Sequence, residues 1–330
     1  MAIKVPRFDD FLGMAQFRDI LRQTSRDELD FGSVGFAYPD GMVLLARIIS
    51  DRVSEGAELA AVNFEGASYP RNMGFFEACG LGIPPEGFAP GNANYFPLKR
   101  CSSTELIETA ERRGQVPGQV ANSMAAQLAK IMIRGKDKQT QETITYSLRE
   151  IIRNIAEHSE SEDFFVSGQY YPNKGTVEIA LMDRGIGIKQ GLSNNPHLAL
   201  ENDYEAILKS LVPGISGRSF HGMPDERRTE WSNSGYGLFM TSQICRMGGR
   251  FNIGSGDTLV SITKSAKTVI DFGFEGTFIG MELLVKNLGK LNPLLHRLRG
   301  RGERVARTVK VQADVEASYA SSFVMGEDGH

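Results

Sequence analysis

Glu150, Asn154 and His158 stand four residues apart in the stretch 147–159, SLREIIRNIAEHS. That spacing puts a carboxylate, a carboxamide and an imidazole along one line of an α-helix. Such a row offers a proton acceptor, an oxygen for a hard cation and a partner for a phosphate. Leu148, Ile151, Ile152 and Ile155 recur at helical spacing on the other face and read as core. Taken alone, the polar line is most simply the solvated side of an amphipathic helix. Its chemistry depends on what else in the chain can meet it.

Three other strings supply candidates. Asp183-Arg184-Gly185-Ile186-Gly187-Ile188 follows a strand-like run, and glycines at alternate positions let backbone approach a ligand beside the carboxylate. Ser234-Gly235-Tyr236-Gly237-Leu238 opens a helical segment, where free N–H groups and the positive end of the helix dipole favour phosphates. No Lys-Ser/Thr pair follows it, so it is not a P-loop. Gly276-Thr277 stands at the entry of a later strand.

The elements that must position these residues divide the chain in two. Residues 1 to about 30 read as an amphipathic helix, with Phe11, Met14, Phe17, Ile20 and Leu21 on one face. Strands at 31–36, 58–64 and 94–99 alternate with helices at 41–54, 70–79 and 104–113, a pattern for an α/β layer with a largely parallel sheet. The string GQVPG at 114–118 marks a boundary, so residues 1–116 form one domain. Helices at 119–134 and 139–158 follow, then a hairpin of strands 164–171 and 176–182 around Pro172-Asn173-Lys174-Gly175. Residues 189–234 read as a long lid interrupted by a helix at 203–211; a helix at 238–247 and strands at 250–254, 258–263 and 277–285 complete a second domain, 117–290. The tail, 291–330, is basic through Arg297, Arg299, Arg301, Arg304, Arg307 and Lys310 and then polar, and reads as a solvated helix or a disordered end.

Composition bounds the function. The chain has 330 residues, 41% hydrophobic and 23% charged, ordinary values for a soluble globular protein of two domains. A net charge of -3 argues against a nucleic-acid footprint over the whole protein and leaves only the basic tail for such a contact. Cys79, Cys101 and Cys245 are odd in number and widely spaced, as expected of reduced thiols. The N-terminus lacks a signal-like apolar run, and Arg47 breaks the longest apolar stretch, 42–49, so no membrane span and a cytoplasmic location are expected.

Glu150-x3-Asn154, Asp183-x-Gly185-x-Gly187, Gly235-x-Gly237-Leu238 and Gly276-Thr277 fall in one order on helix, strand end, lid end and strand start. In this the chain resembles the GHKL superfamily, the Bergerat ATP-binding fold of gyrase, heat-shock chaperones, sensor histidine kinases and mismatch-repair ATPases. The resemblance covers roughly 119–285 and implies an α/β sandwich of a mixed sheet and a helical layer. The order of elements in residues 1–116 resembles the STAS-like regulatory domains. That second resemblance places Ser68 near a position phosphorylated in some members, although the family's Asp-Ser-Ser or Asp-Ser-Thr run is missing and a turn or capping role is the simpler reading.

The GHKL resemblance implies a role for each motif residue. Asp183 would accept from the adenine amino group, with Gly185, Gly187 and Ile188 turning the chain beneath the base and Thr277 supporting recognition through a water. Asn154 would give an oxygen to Mg2+, and Ser234, Gly235, Tyr236, Gly237 and Leu238 would offer N–H groups to the phosphates of ATP. Glu150 would be the general base, and Arg218, with His221, Arg227 and Arg228 in the lid, could reach the γ-phosphate on closure. His158 either approaches a phosphate oxygen or ends its helix as a cation at the negative end of the dipole.

Gyrase-like, mismatch-repair and chaperone members carry a further domain, for which the tail after Val285 is short, and none of the five histidines fits a phosphoacceptor hairpin. The nearest branch in style is the stand-alone anti-sigma-factor serine kinases. The expected function is therefore a cytoplasmic regulatory protein that binds ATP and Mg2+, hydrolyses ATP or phosphorylates a protein partner, and signals through lid closure. The alternative is a non-catalytic ATP-sensing interaction module. A homodimer is compatible with either, and no residue in the sequence decides it.

Overall fold

The structure is a computed structural model and describes residues 2–86, 94–133, 138–217 and 235–308, with side chains described as far as 304. It is a mixed α/β molecule with two sheets, one parallel and one antiparallel.

The first unit runs β1 (Ile3–Lys4), α1 (Phe11–Arg22), β2 (Arg26–Asp30), α2 (Pro39–Ser54), β3 (Glu58–Val62), α3 (Ser68–Asn72) and α4 (Phe75–Ala78). Its strands form a parallel sheet in the order β1-β2-β3. Parallel neighbours need a crossover, and α2 provides it between β2 and β3. The helix expected across residues 1–30 is therefore limited to Phe11–Arg22 and flanked by strands. The strand expected at 31–36 is instead a turn, bent by the bond from Gly32 N to Asp30 Oδ1 and by the positive φ of Gly35. The true strand, β2, was hidden by its composition, because in RDELD Leu29 alone is buried. The single helix expected at 70–79 is two short ones, separated by Gly74 at φ 76.

The second unit runs β4 (Tyr95–Ser102), α5 (Ser103–Arg112), α6 (Pro117–Ile133), α7 (Lys138–Asn154), a π-helical turn (Ile155–Ser159), β5 (Asp163–Tyr171), β6 (Thr176–Asp183), α8 (Gly187–Ser193), α9 (Asp203–Ser210), α10 (Gly237–Cys245), β7 (Arg250–Ile262), β8 (Lys267–Leu284) and α11 (Leu291–Thr308). Its sheet has the order β4-β5-β6-β8-β7, and every pairing is antiparallel rather than mixed. Short hairpins at 172–175 and 263–266 impose this. The segments read as separate strands at 250–254 and 258–263 are one strand, whose register shifts around Gly256. Strand β4, from the N-terminal side of the 114–118 boundary, pairs with β5, so sheet membership changes before Tyr95.

Both faces of the antiparallel sheet are covered, which explains its near-continuous apolar strands. Phe164, Val166, Val177, Ile179, Leu181, Ile279 and Met281 pack beneath α6, α7 and α10. Alternate residues Phe165, Ala180, Met182 and Phe278 face the first unit and meet Val43 and Leu44 of α2 among others. Helix α2 lies between the two sheets, with every residue from Met42 to Ser50 buried. The tail departs from its expected solvated character: Leu291, Leu294, Leu295 and Leu298 of α11 are buried in the helical-layer core at helical spacing. Residues 309–330, with Lys310, lie outside the described ones. No described helix is long and apolar enough to cross a membrane.

Ser68 is exposed as the first residue of α3, whose cap residue Ala67 makes no side-chain bond.

Candidate functional site

The end of β6, the end of α7 and the start of α10 meet around one cleft on the helical side of the sheet, with about 1140 Å3 of empty space counting its open mouth. Glu150, Asn154, His158, Asp183, Gly187, Ile188, Gly235, Gly237, Leu238 and Thr277 all line it. Leu181 and Ile279 come from the sheet floor, and Ile155, Leu192 and Ile215 supply further apolar wall. An apolar cleft with a few convergent polar groups is the usual form of a small-molecule site.

At one end, antiparallel pairing of β6 with β8 sets Asp183 beside Thr277. Asp183 Oδ1 accepts from Gly185 N at 2.7 Å and Thr277 N at 3.2 Å. The residue is 3% exposed. Burial pushes its acid up to about 6, while the N–H groups of Gly185 and Thr277, and Arg47 more distantly, pull the other way. With Oδ1 doubly engaged, Oδ2 has no hydrogen bond among the described residues and is the acceptor left for a ligand.

Gly185 stands behind this wall. A Cβ there would lie 1.9 Å from the carbonyl oxygen of Ser159, so a side chain is excluded by backbone. The same carbonyl accepts from Ile186 N at 2.8 Å, tying the loop to the turn after α7. Ser255 adds a second tie, accepting from Ile188 N at 2.8 Å and donating to Gly276 O at 3.0 Å. Ser255 was not foreseen from sequence; the Gly254-Ser255-Gly256 interruption within a strand was the available signal.

The other end is built by α7 and α10. Glu150 is 2% exposed, and its Oε1 accepts from Arg149 Nη2 at 2.5 Å and Nε at 3.1 Å. Its Oε2 faces Gly237, where an added Cβ would lie 2.3 Å away. Gly237 is thus required less for flexible backbone than for room beside the carboxylate. Arg149, which also lies over the Tyr146 ring at 5.1 Å, was not singled out by the sequence reading.

The expected straight row of polar residues is altered after Asn154. Helix α7 ends there and Ile155–Ser159 widens into a π turn, so His158 is displaced from the Glu150–Asn154 line although it still borders the cleft. Single π turns are frequent at functional sites. Ser159 Oγ donates to Ile155 O at 2.7 Å within this turn. His158 Nε2 lies 4.0 Å from Glu157 Oε2.

Tyr236 departs from the glycine motif around it. Its ring is buried in the core, edge-on to Phe239 at 6.5 Å, and it is not part of the cleft wall. Arg218, His221, Arg227, Arg228 and Ser234 lie outside the described residues. Among the described residues, no group of three or more His, Cys, Asp or Glu side chains is placed to hold a metal. A cation at this cleft would rest on the Asn154 carboxamide and on the oxygens of its ligand, a sparse protein contribution of the kind Mg2+ accepts.

No family model and no curated protein sequence matches the chain.

Proposed function

We propose that this chain is a regulatory protein that binds ATP and Mg2+ in a GHKL-type cleft and carries a STAS-like unit on the opposite face of the same sheet. The observation that carries the reading is the Asp183 carboxylate, buried in the cleft lining with one oxygen fixed by two backbone N–H groups and the other unused. An acceptor so placed suits an exocyclic amino group such as that of adenine.

The remaining residues fit the rest of such a ligand. Leu181, Ile279 and Ile188 provide apolar contact for a base, and Thr277 borders the same end. Gly235, Gly237 and Leu238 line the cleft where α10 begins, the positive end of a nine-residue helix and a suitable place for phosphate oxygens. Asn154 can lend its oxygen to Mg2+, with His158 nearby on the π turn. ATP with its Mg2+ supplies the transferable γ-phosphoryl group. Glu150, with Oε1 held by Arg149, has Oε2 left to orient the attacking group, a water or a protein hydroxyl. The protein partner and closure of the 189–234 segment belong to the same proposal.

The second reading, ATP sensing without turnover, is favoured by one observation: Arg149 engages the carboxylate that would serve as base. Glu150→Ala separates the two. The catalytic reading expects turnover or phosphotransfer to fall by about 100-fold or more, with ATP affinity little changed. Unchanged turnover, or a wild type that binds ATP with neither turnover nor transfer to a partner, favours the sensing module.

A further inference from the structure

A second cleft opens at the far end of α10, between the C-terminus of that helix, the β7–β8 turn and α11. We propose that it is an anion-binding site for a small phosphoryl-bearing ligand of the pyrophosphate class, held by Arg246, Lys264, Arg301 and Gln243. Helix α10 spans nine residues, so the two clefts are separated by about 13 Å of helix, and no residue lines both.

Three cationic residues and no carboxylate line the second cleft. Among the described residues Arg246, Lys264 and Arg301 have no ion-pair partner, whereas Arg250 nearby is matched to Glu282 at 3.1 Å. A basic residue closing a helix commonly answers the helix dipole, and that would account for Arg246 alone. It does not account for Lys264 from the turn or Arg301 from α11 converging on the same space. Arg246 is also oriented, because its Nε donates to Thr263 O at 3.1 Å. Burial and the neighbouring Arg301 both work against its charge, an unfavourable pairing that a bound anion would relieve.

Gln243 adds a neutral donor beside the three cations. It lines the cleft, is 9% exposed, and its carboxamide makes no hydrogen bond among the described residues. Its amide is thus uncommitted to protein and can donate to a ligand in the cleft. Asn287 Nδ2, by contrast, is already committed to Met247 O. The free groups are therefore chiefly donors. A single carboxylate would leave most of three positive charges uncompensated, whereas a polyphosphate presents several charges and only acceptor oxygens. Guanidinium forks fit such oxygens in pairs, with lysine as a point charge beside them. The cleft encloses about 1160 Å3 counting its open mouth, ample for such a ligand.

The test is calorimetric titration of the full chain with inorganic pyrophosphate, run also in an Asn154→Ala chain to remove any contribution from the first cleft. The expected result is saturable binding that persists in Asn154→Ala, weakens about tenfold or more in Arg246→Gln/Arg301→Gln, and weakens about threefold or more in Gln243→Leu, which leaves the charge unchanged. Lys264→Gln, on the exposed turn, should weaken binding without a change in thermal midpoint, which guards against loss through misfolding. Absence of saturable binding, wild-type affinity in the double variant, or loss confined to Asn154→Ala would overturn the assignment. So would tighter binding of a short DNA duplex than of pyrophosphate through the same residues, because the ligand would then be a nucleic-acid backbone.

Discussion

At the level of single residues, the cleft is set by contacts too close for a side chain as much as by the polar groups. The sequence already displayed Glu150, Asn154, Asp183 and the alternating glycines, and the fold gathers all of these except Gly185 onto the cleft wall, with Gly185 just behind it. It did not display why the glycines are there. Gly185 yields to a backbone carbonyl, whereas Gly237 yields to the end of the Glu150 side chain. This difference separates two outcomes. In Gly237→Ala the carboxylate can give way, so the proposed ATP binding should survive within about threefold while any turnover falls about tenfold or more, since the new methyl displaces Glu150, the proposed base. Parallel measurement of ATP affinity and turnover checks this. Equal loss of both would mean that the added methyl disturbs the phosphate-binding start of α10 rather than Glu150. Arg149 and Ser255 escaped the sequence reading because their contacts depend on side-chain direction and on strand register across β7 and β8, neither of which a linear motif encodes.

At the level of elements, periodicity served well where one face of a helix is buried, as in α7, and poorly where burial is all round or nearly absent. Helix α2 is buried along nearly its whole length because it is pressed between two sheets, and β2 shows one buried side chain in five. Polar anchoring of α2 is correspondingly informative. Asp40, in its first turn, has its carboxyl laid over Gly280 of β8 and accepts from Asn252 Nδ2 at 2.6 Å. Burial raises this acid to about 6, aided by Glu282 and opposed by the Asn252 bond and by Arg250. Because the folded value lies above the roughly 3.9 of an unfolded aspartate, the folded chain favours the protonated acid. The group's contribution to stability is therefore present below about pH 4 and is lost as pH rises through about 6. Asp40→Asn keeps an acceptor for Asn252 and removes the charge. Its thermal midpoint should exceed that of wild type by about 1–3 °C at pH 8 and match it near pH 4, as read by thermal melts at both values. A deficit at pH 8 would show that the ionised form is the stabilising one.

Across the whole molecule, the antiparallel sheet is a shared wall, with the cleft on its helical side and the parallel-sheet unit on the other. The residue that follows the buried Asp183 joins the two. Arg184 Nη2 lies 2.8 Å from Asp51 Oδ1 and donates to Ser50 Oγ at 3.2 Å, both on α2, while Asp51 Oδ2 lies 2.7 Å from Arg47 Nε. Arg184 N itself donates to Ser161 Oγ, which keeps the strand end in place without the side chain. Arg184→Ala should therefore lower stability by about 1–2 kcal/mol, a value between those of exposed and fully buried ion pairs, and speed amide hydrogen exchange at 183–188. An unchanged denaturation midpoint and unchanged exchange would mean that the Arg184 contacts with α2 add nothing to the hold between the two units. The central claim remains the nature of the ligand at Asp183, and calorimetric titration with ATP and Mg2+ tests it most directly. Asn at 183 would retain an oxygen for the two backbone N–H groups and turn an NH2 donor toward the ligand's amino group. The account predicts that wild type binds ATP at least about tenfold more tightly than GTP, and that Asp183→Asn loses about tenfold or more in ATP affinity while remaining folded. Equal affinity for ATP and GTP, or undiminished ATP binding by Asp183→Asn, would contradict it.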